Sequence, residues 1–280
     1  MASYAFRIVN VFAETPLGGN PLAVFEDGRG LDDATMQALA LQFNLSETTF
    51  ILPSDRATAR VRIFTPTFEM PFAGHPTLGS AHVVRALTGA GDALTLEMPA
   101  GLIPVEAAGD TWTLRANAPR HRAAEIGRSD LAQALGIDTA DIAGDPLWVD
   151  TGSEQLVVPL VSADAVDRCQ PDAALLSCHC HNGVRAMAYV WAATAADRAK
   201  VRFFFPQHGG LAEDPGTGSA CANLGGYLVA TGHTLPVQWT LSQGAHVGRS
   251  CILHLGVDRD RTIRVAGRVV ELGRGVINLP

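Results

Sequence analysis

Three titratable residues carry the chemical possibilities of this chain. Glu47 sits in "NLSETTFIL" (44–52), between Leu45 and Phe50, with Ser46 beside it, where a helix end passes into an apolar strand. A carboxyl in apolar surroundings has its neutral form favoured, which suits a group that gives and takes protons near neutral pH. In a solvated helix–strand loop the same glutamate would have no chemical role. His75 stands just before Pro76 at the start of a helical run. An imidazole there can donate to a substrate, relay a proton, or simply cap the helix. Asp214 can hold an imidazole tautomer or polarise a substrate amine, and it can also serve as an N-cap.

His75 and Asp214 belong to two stretches that echo each other, "FAGHPTLGSAHVV" (72–84) and "EDPGTGSACANL" (213–224). Pro76, Gly79, Ser80 and Ala81 keep the spacing of Pro215, Gly218, Ser219 and Ala220. The first N–H groups of a helix lack intrahelical partners, and the aligned peptide dipoles place partial positive charge there. Two such entrances suit an anionic small molecule, most simply a carboxylate. A Walker phosphate loop does not fit, because no Lys follows either Gly-Ser and Glu213 and Asp214 would repel phosphate.

The elements that must position these groups occur twice in one order. "YAFRIVNVF", "PLAVFED", "TTFILP" and "ARVRIFT" alternate as strands, with "DDATMQALALQF" helical between them. A helix beginning near Pro76 follows, then the strands "LTLEMP" and "TWTLRA". The second half repeats the order: strands "PLWVDTG" and "EQLVVPLV", a helical stretch interrupted at Pro171, strands "RAMAYVWA" and "VRFFFP", the helix after Pro215, and strands to the end. Period-2 segments outnumber helical ones, so the expected class is α+β: two similar lobes, each a curved, mainly antiparallel sheet around a central helix, related by internal duplication. The expected boundaries are an N-terminal lobe 1–117, completed by the strand 270–280, and a C-terminal lobe 118–269, joined near 116–128, with the active site in the cleft between them.

The 280 residues are 47% hydrophobic and 18% charged, too apolar for disorder, with a net charge of −7. No block of Lys or Arg is present, which argues against nucleic acid and anionic membrane as partners. No apolar run approaches the roughly 20 residues of a spanning helix, and the first residues lack a signal-peptide pattern, so a cytoplasmic protein is expected. "SCHCHNG" (177–183) packs Cys178, His179, Cys180 and His181 together, but no second pair at metal-site spacing accompanies them. No metal is expected.

Taken together, "VFAETPLGGNPLAVF", "LSETTFIL", "FEMPFAGHPTLGSA", "AEDPGTGSA" and "SQGAHVGRS" resemble the PhzF-like family of phenazine-biosynthesis isomerases, in the family's order and over nearly the whole chain. The family shares a two-lobed fold with diaminopimelate epimerase and proline racemase. The resemblance implies that Glu47 is the proton shuttle, with His75 and Asp214 as active-site partners. It implies that backbone around Gly74, Gly218 and Ser219 holds a substrate carboxylate, and that Asn20, Gln243 and Gly244 line the pocket. In the characterised member the reaction is isomerisation of trans-2,3-dihydro-3-hydroxyanthranilate, without cofactor or metal, and homodimers are common. The partners so implied are a small carboxylated metabolite and a second copy of the chain. The racemase relatives use a cysteine at each central helix start, whereas here only Cys221 is present, at the second. An amino-acid epimerase using Glu47 and His75 is the alternative enzyme, and a non-catalytic anion-binding protein the alternative from another class.

Overall fold

The structure is a computed structural model and describes residues 2–207 and 209–279. Met1 and Pro280, at the outer ends of the expected first lobe, lie outside the described residues. The chain divides into two compact units, one made of residues up to Arg115 together with those from Ala266 onward, the other of Ala116–Val265.

In the first unit the chain runs β1 (Ala2–Val11), β2 (Asn20–Phe25), α1 (Asp33–Phe43), β3 (Glu47–Leu52), β4 (Ala59–Phe64), β5 (Glu69–Met70), α2 (Gly74–Thr88), β6 (Ala93–Met98), β7 (Gly101–Ala108) and β8 (Thr111–Arg115). In the second it runs β9 (Arg120–Ala123), α3 (Arg128–Leu135), β10 (Leu147–Asp150), β11 (Glu154–Pro159), α4 (Ala163–Arg168), α5 (Ala173–His179), β12 (Ala188–Ala195), β13 (Arg198–Gln207), β14 (Gly210–Asp214), α6 (Gly218–Ala230), β15 (Val237–Gln243) and β16 (Cys251–Val257). The last strand, β17 (Ile263–Leu279), starts in the second unit and returns to the first.

The pairing repeats with the order. β1–β2, β3–β4, β4–β5 and β6–β7 are antiparallel, and so are β10–β11, β12–β13, β13–β14 and β15–β16. The parallel pairs β2–β3 and β4–β6 recur as β11–β12 and β13–β15. In the first unit β17 pairs with both β1 and β8, which closes the strands into a barrel. Both sheets wrap a central helix. α2 packs against β1, β2, β3, β4, β6 and β8, and α6 against β9, β10, β11 and β16.

Composition explains the wrapping. A helix that is apolar on every side must be covered on every side. On α6 the whole run Ala220–Leu228 is buried, and on α2 Gly74–Ala81 is buried. Gly79 lets α2 approach the sheet: a Cβ there would lie 2.6 Å from Leu22 Cδ2 and 3.0 Å from Val11 Cγ2. The amphipathic α1 instead lays Met36, Leu39 and Ala40 on a cluster that includes Phe25, Phe50 and Phe64.

The stretch read as a joint at 116–128 contains β9, paired antiparallel with β10, and α3 begins at its end. All four β9 residues are exposed, so the strand is held by backbone pairing and shows no apolar alternation. Among the described residues no helix is long and apolar enough to cross a membrane.

Candidate active site

Each unit prepares the entrance of its central helix with the same device. The strand before the helix is pinned by an arginine fork. Arg62 on β4 bonds both carboxylate oxygens of Glu69 on β5, at 2.8 and 2.6 Å, and Arg202 on β13 does the same to Glu213 on β14, at 3.1 and 2.8 Å. Each guanidinium also lies over the ring two residues along, Phe64 or Phe204. Five residues after the pinned glutamate the helix begins, at Gly74 or Gly218. This sets the true correspondence of the entrances: Gly74 matches Gly218, and His75 matches Ser219.

The Gly-Ser-Ala echo is therefore out of register by five residues, which corrects the equivalence expected from spacing. Gly79 and Ser80 lie in the second turn of α2, buried against the sheet, with the Ser80 hydroxyl donating to Thr49 Oγ1 at 2.9 Å. Gly218 and Ser219 form the first turn of α6. The echo reflects the small residues that a close-packed helix needs at either place.

In the first unit, parallel pairing sets Glu47, the first residue of β3, beside Leu22 of β2. His75, the second residue of α2, is only 6% exposed. Burial pulls its pKa down to about 3 against the opposing effect of a hydrogen bond to the Pro21 carbonyl, so the ring is neutral. Its Nε2 faces Glu47 Oε2 at 3.5 Å, and with a neutral ring this contact is no ion pair. The Glu47 side chain is 15% exposed. Asn20 is buried at the start of β2, and Ser46 is exposed just ahead of Glu47.

In the second unit, Asp214 ends β14. Its Oδ2 accepts from the Thr217 hydroxyl at 2.5 Å, so the N-cap residue of α6 is spent on the carboxylate and not on its helix. Gln243 clamps this loop: Oε1 accepts from Thr217 N–H at 3.2 Å, while Nε2 donates to the Asp214 carbonyl at 2.8 Å and to Thr217 Oγ1 at 3.0 Å. Gly244 adopts φ +80°, and a Cβ there would lie 2.2 Å from the Arg249 carbonyl oxygen and 2.4 Å from that of Pro215. Only glycine fits both demands.

The helix starts differ in how they are capped. α1, α4 and α5 have side-chain caps from Asp32, Ser162 and Asp172. α2 and α6 open on Ala73 and Thr217 with no side-chain cap bond, as α3 does on Gly127. At the two central helices the first N–H groups therefore donate no bond to the cap residue's side chain.

The structure brings Glu47, His75, Gly74 and Asn20 together in the first unit, and Asp214, Gly218, Ser219, Gln243 and Gly244 together in the second. Cys221 is fully buried in α6, with its thiol pushed far up by desolvation, a poor nucleophile and a good core residue. In the Cys/His stretch, Cys178 is exposed, Cys180 is a buried helix cap and His181 accepts from Gly183 N–H. Among the described residues no three His, Cys, Asp or Glu side chains converge as a metal site would need. Sequence reading missed Thr217, Gln155 and Asn223. The available signal for the last was a single polar amide within the apolar run "ACANLGGYLVA".

Residues 9–275 match the family model for phenazine biosynthesis-like proteins, PhzC-PhzF. An uncharacterized isomerase of Pasteurella multocida is 41% identical, covering 100% of this chain and 96% of that protein. The trans-2,3-dihydro-3-hydroxyanthranilate isomerase of Pseudomonas fluorescens is 36% identical, covering 98% and 99%. The crystal structure of a PhzF-family protein of Bacillus anthracis superposes with a TM-score of 0.89 over 100% of both chains, at 24% identity. This chain belongs to the PhzF-like family of isomerases.

Proposed function

We propose that the protein catalyses a cofactor-independent proton shift between carbons of a small carboxylated substrate, with Glu47 as the single acid/base. The observation that carries this reading is the 3.5 Å contact of Glu47 with the buried His75, whose imidazole is neutral. A neutral ring places no fixed positive charge beside the carboxyl, so Glu47 can pass between its two protonation states during turnover. The Glu47 carboxylate takes a proton as one C–H bond breaks. The electron pair moves through the adjoining double bond, and the carboxylic acid returns the proton to the carbon at its far end. His75 orients Glu47, and Asp214, held by Thr217, orients a polar group of the substrate. The uncapped N–H groups at Gly74, Gly218 and Ser219 receive the carboxylate. A homodimer belongs to this reading through the family resemblance.

The relatives named trans-2,3-dihydro-3-hydroxyanthranilate isomerase make that compound the first to test. Incubated in D₂O and followed by NMR, wild-type protein is expected to isomerise it with solvent deuterium incorporated, and Glu47→Gln to lose about 10²–10⁴-fold in rate. Exchange unaffected by Glu47→Gln would discard this base.

A further inference from the structure

A chain of buried amides runs from the sheet of the second unit to Ser219, and its direction is set by groups that cannot flip. The Thr151 backbone N–H can only donate, and it bonds Asn223 Oδ1 at 2.9 Å, joined by the Thr151 hydroxyl at 2.7 Å. The Ser153 carbonyl can only accept, and it bonds Asn223 Nδ2 at 2.8 Å. Asn223 is thereby held in one orientation from both ends. Its Nδ2 also donates to Gln155 Oε1 at 2.8 Å, which commits Gln155 Nε2 as donor to Ser219 Oγ at 2.9 Å. Asn223 is 0% exposed and Gln155 3% exposed, so water does not compete for these groups.

The consequence falls on the Ser219 hydroxyl. Its oxygen already accepts from an amide that has no lone pair to offer, so its own proton must point elsewhere. A serine deeper in a helix would turn that proton onto the carbonyl four residues back, as Ser177 does to Ala173. Ser219 is the second residue of α6, where no helical carbonyl stands behind it, and it is only partly buried.

We propose that Gln155 and Asn223 are positioning residues that fix Ser219 as an obligate hydrogen-bond donor, selecting an acceptor-only group, a carboxylate, over groups that carry their own N–H. This rests on the proposed carboxylated substrate. Donors that all point one way reject a ligand group that is itself a donor, because burial leaves both unpaired.

The test compares the affinity of 3-hydroxyanthranilate with that of its primary amide, 3-hydroxyanthranilamide, by calorimetry. Wild type is expected to prefer the carboxylate more than about tenfold, and Ser219→Ala and Gln155→Met each to reduce the preference to a few-fold. The double variant is expected to do no worse than Ser219→Ala, since Gln155 acts through that hydroxyl. A side chain that only supports the fold would lower stability and leave the ratio of affinities unmoved. An undiminished ratio in Gln155→Met, beside a collapsed one in Ser219→Ala, overturns the proposal. Neutron diffraction of deuterated wild-type protein judges the relay without ligand or variant: deuterium on Ser219 Oγ directed away from Gln155 supports it, and deuterium directed at Gln155 Nε2 overturns it. A wild-type protein without preference for the carboxylate would remove the carboxylated substrate, while the neutron map still decides the direction of the relay.

Discussion

The two helix entrances share a frame and differ in what the frame holds. Strand register makes Thr48 and Ala188 equivalent, since they face Phe64 and Phe204 respectively. Glu47 therefore corresponds to Met187, which is buried and apolar, just as His75 corresponds to Ser219. The first entrance has a carboxyl beside an imidazole, and the second has the Asp214 carboxylate with hydroxyls and amides tied into directed hydrogen bonds. The repeat holds the arginine fork, the short strand and the uncapped helix twice, but a carboxyl facing an imidazole once. A racemase that works from both faces of a carbon needs two bases. One carboxyl set against a methionine suits a proton removed and returned by the same group.

The comparison is tested most severely at the forks. Arg202 and Glu213 have side chains only 9% exposed, and Arg202 Nη1 also donates to the carbonyls of Val166, Asp167 and Cys169. Glu213→Gln leaves a buried guanidinium without its counter-charge and is expected to cost about 3–5 kcal/mol in chemical denaturation. Glu69 is 31% exposed, and Arg62 retains Asp33 at 2.6 Å, so Glu69→Gln is expected to cost about 1 kcal/mol. Equal losses would mean that the two frames carry equal loads.

A smaller effect separates the imidazole from its counterpart. His75 is neutral when folded, with a pKa near 3, and gains a proton near pH 6.5 when unfolded. The unfolded chain thus binds more protons between these values, so stability is intact above pH 6.5 and is lost as pH falls toward 3. Removing the ring, as in His75→Asn, is expected to flatten this acid slope by up to about 1.4 kcal/mol per pH unit and to slow turnover. The remaining slope includes His82, also shifted down by burial. An unchanged slope would show that His75 is not buried as a neutral ring.

The smallest expected effect concerns the thiols. Cys178 is exposed, while Cys169, Cys180, Cys221 and Cys251 are buried with thiols pushed up by desolvation. Iodoacetamide is expected to label Cys178 alone, read by mass spectrometry, with no loss of isomerase activity. Inactivation through Cys221 would restore a thiol to the mechanism.

Much of the fold was legible because strands here alternate and central helices do not. "VQWTLSQ" buries every second residue of β15, and "GSACANLGGYLVA" has no polar face, so the sheet must surround it. The four-residue β9 was illegible because its exposed side chains carry no pattern. The forks escaped notice because Arg62 and Glu69 stand seven residues apart, and Arg202 and Glu213 eleven. Register across a hairpin, not spacing along the chain, makes them equivalent. The start of α2 was legible to within two residues, but the closeness of Glu47 to His75 also depends on the parallel pairing of β2 with β3, which is not written in local sequence.

The return of β17 to the first unit orders events at the ribosome. The second unit is one continuous stretch, so all its strands have emerged by Val265. The first unit has α1, α2 and its eight strands β1–β8 made by Arg115, yet β1 faces β17 through pairs that end at Leu279. Its barrel stays open along β1 and β8 while some 150 further residues, Ala116–Val265, are translated. The half that is begun first is therefore finished last, with two unpaired strand edges exposed to solvent or to chaperones meanwhile.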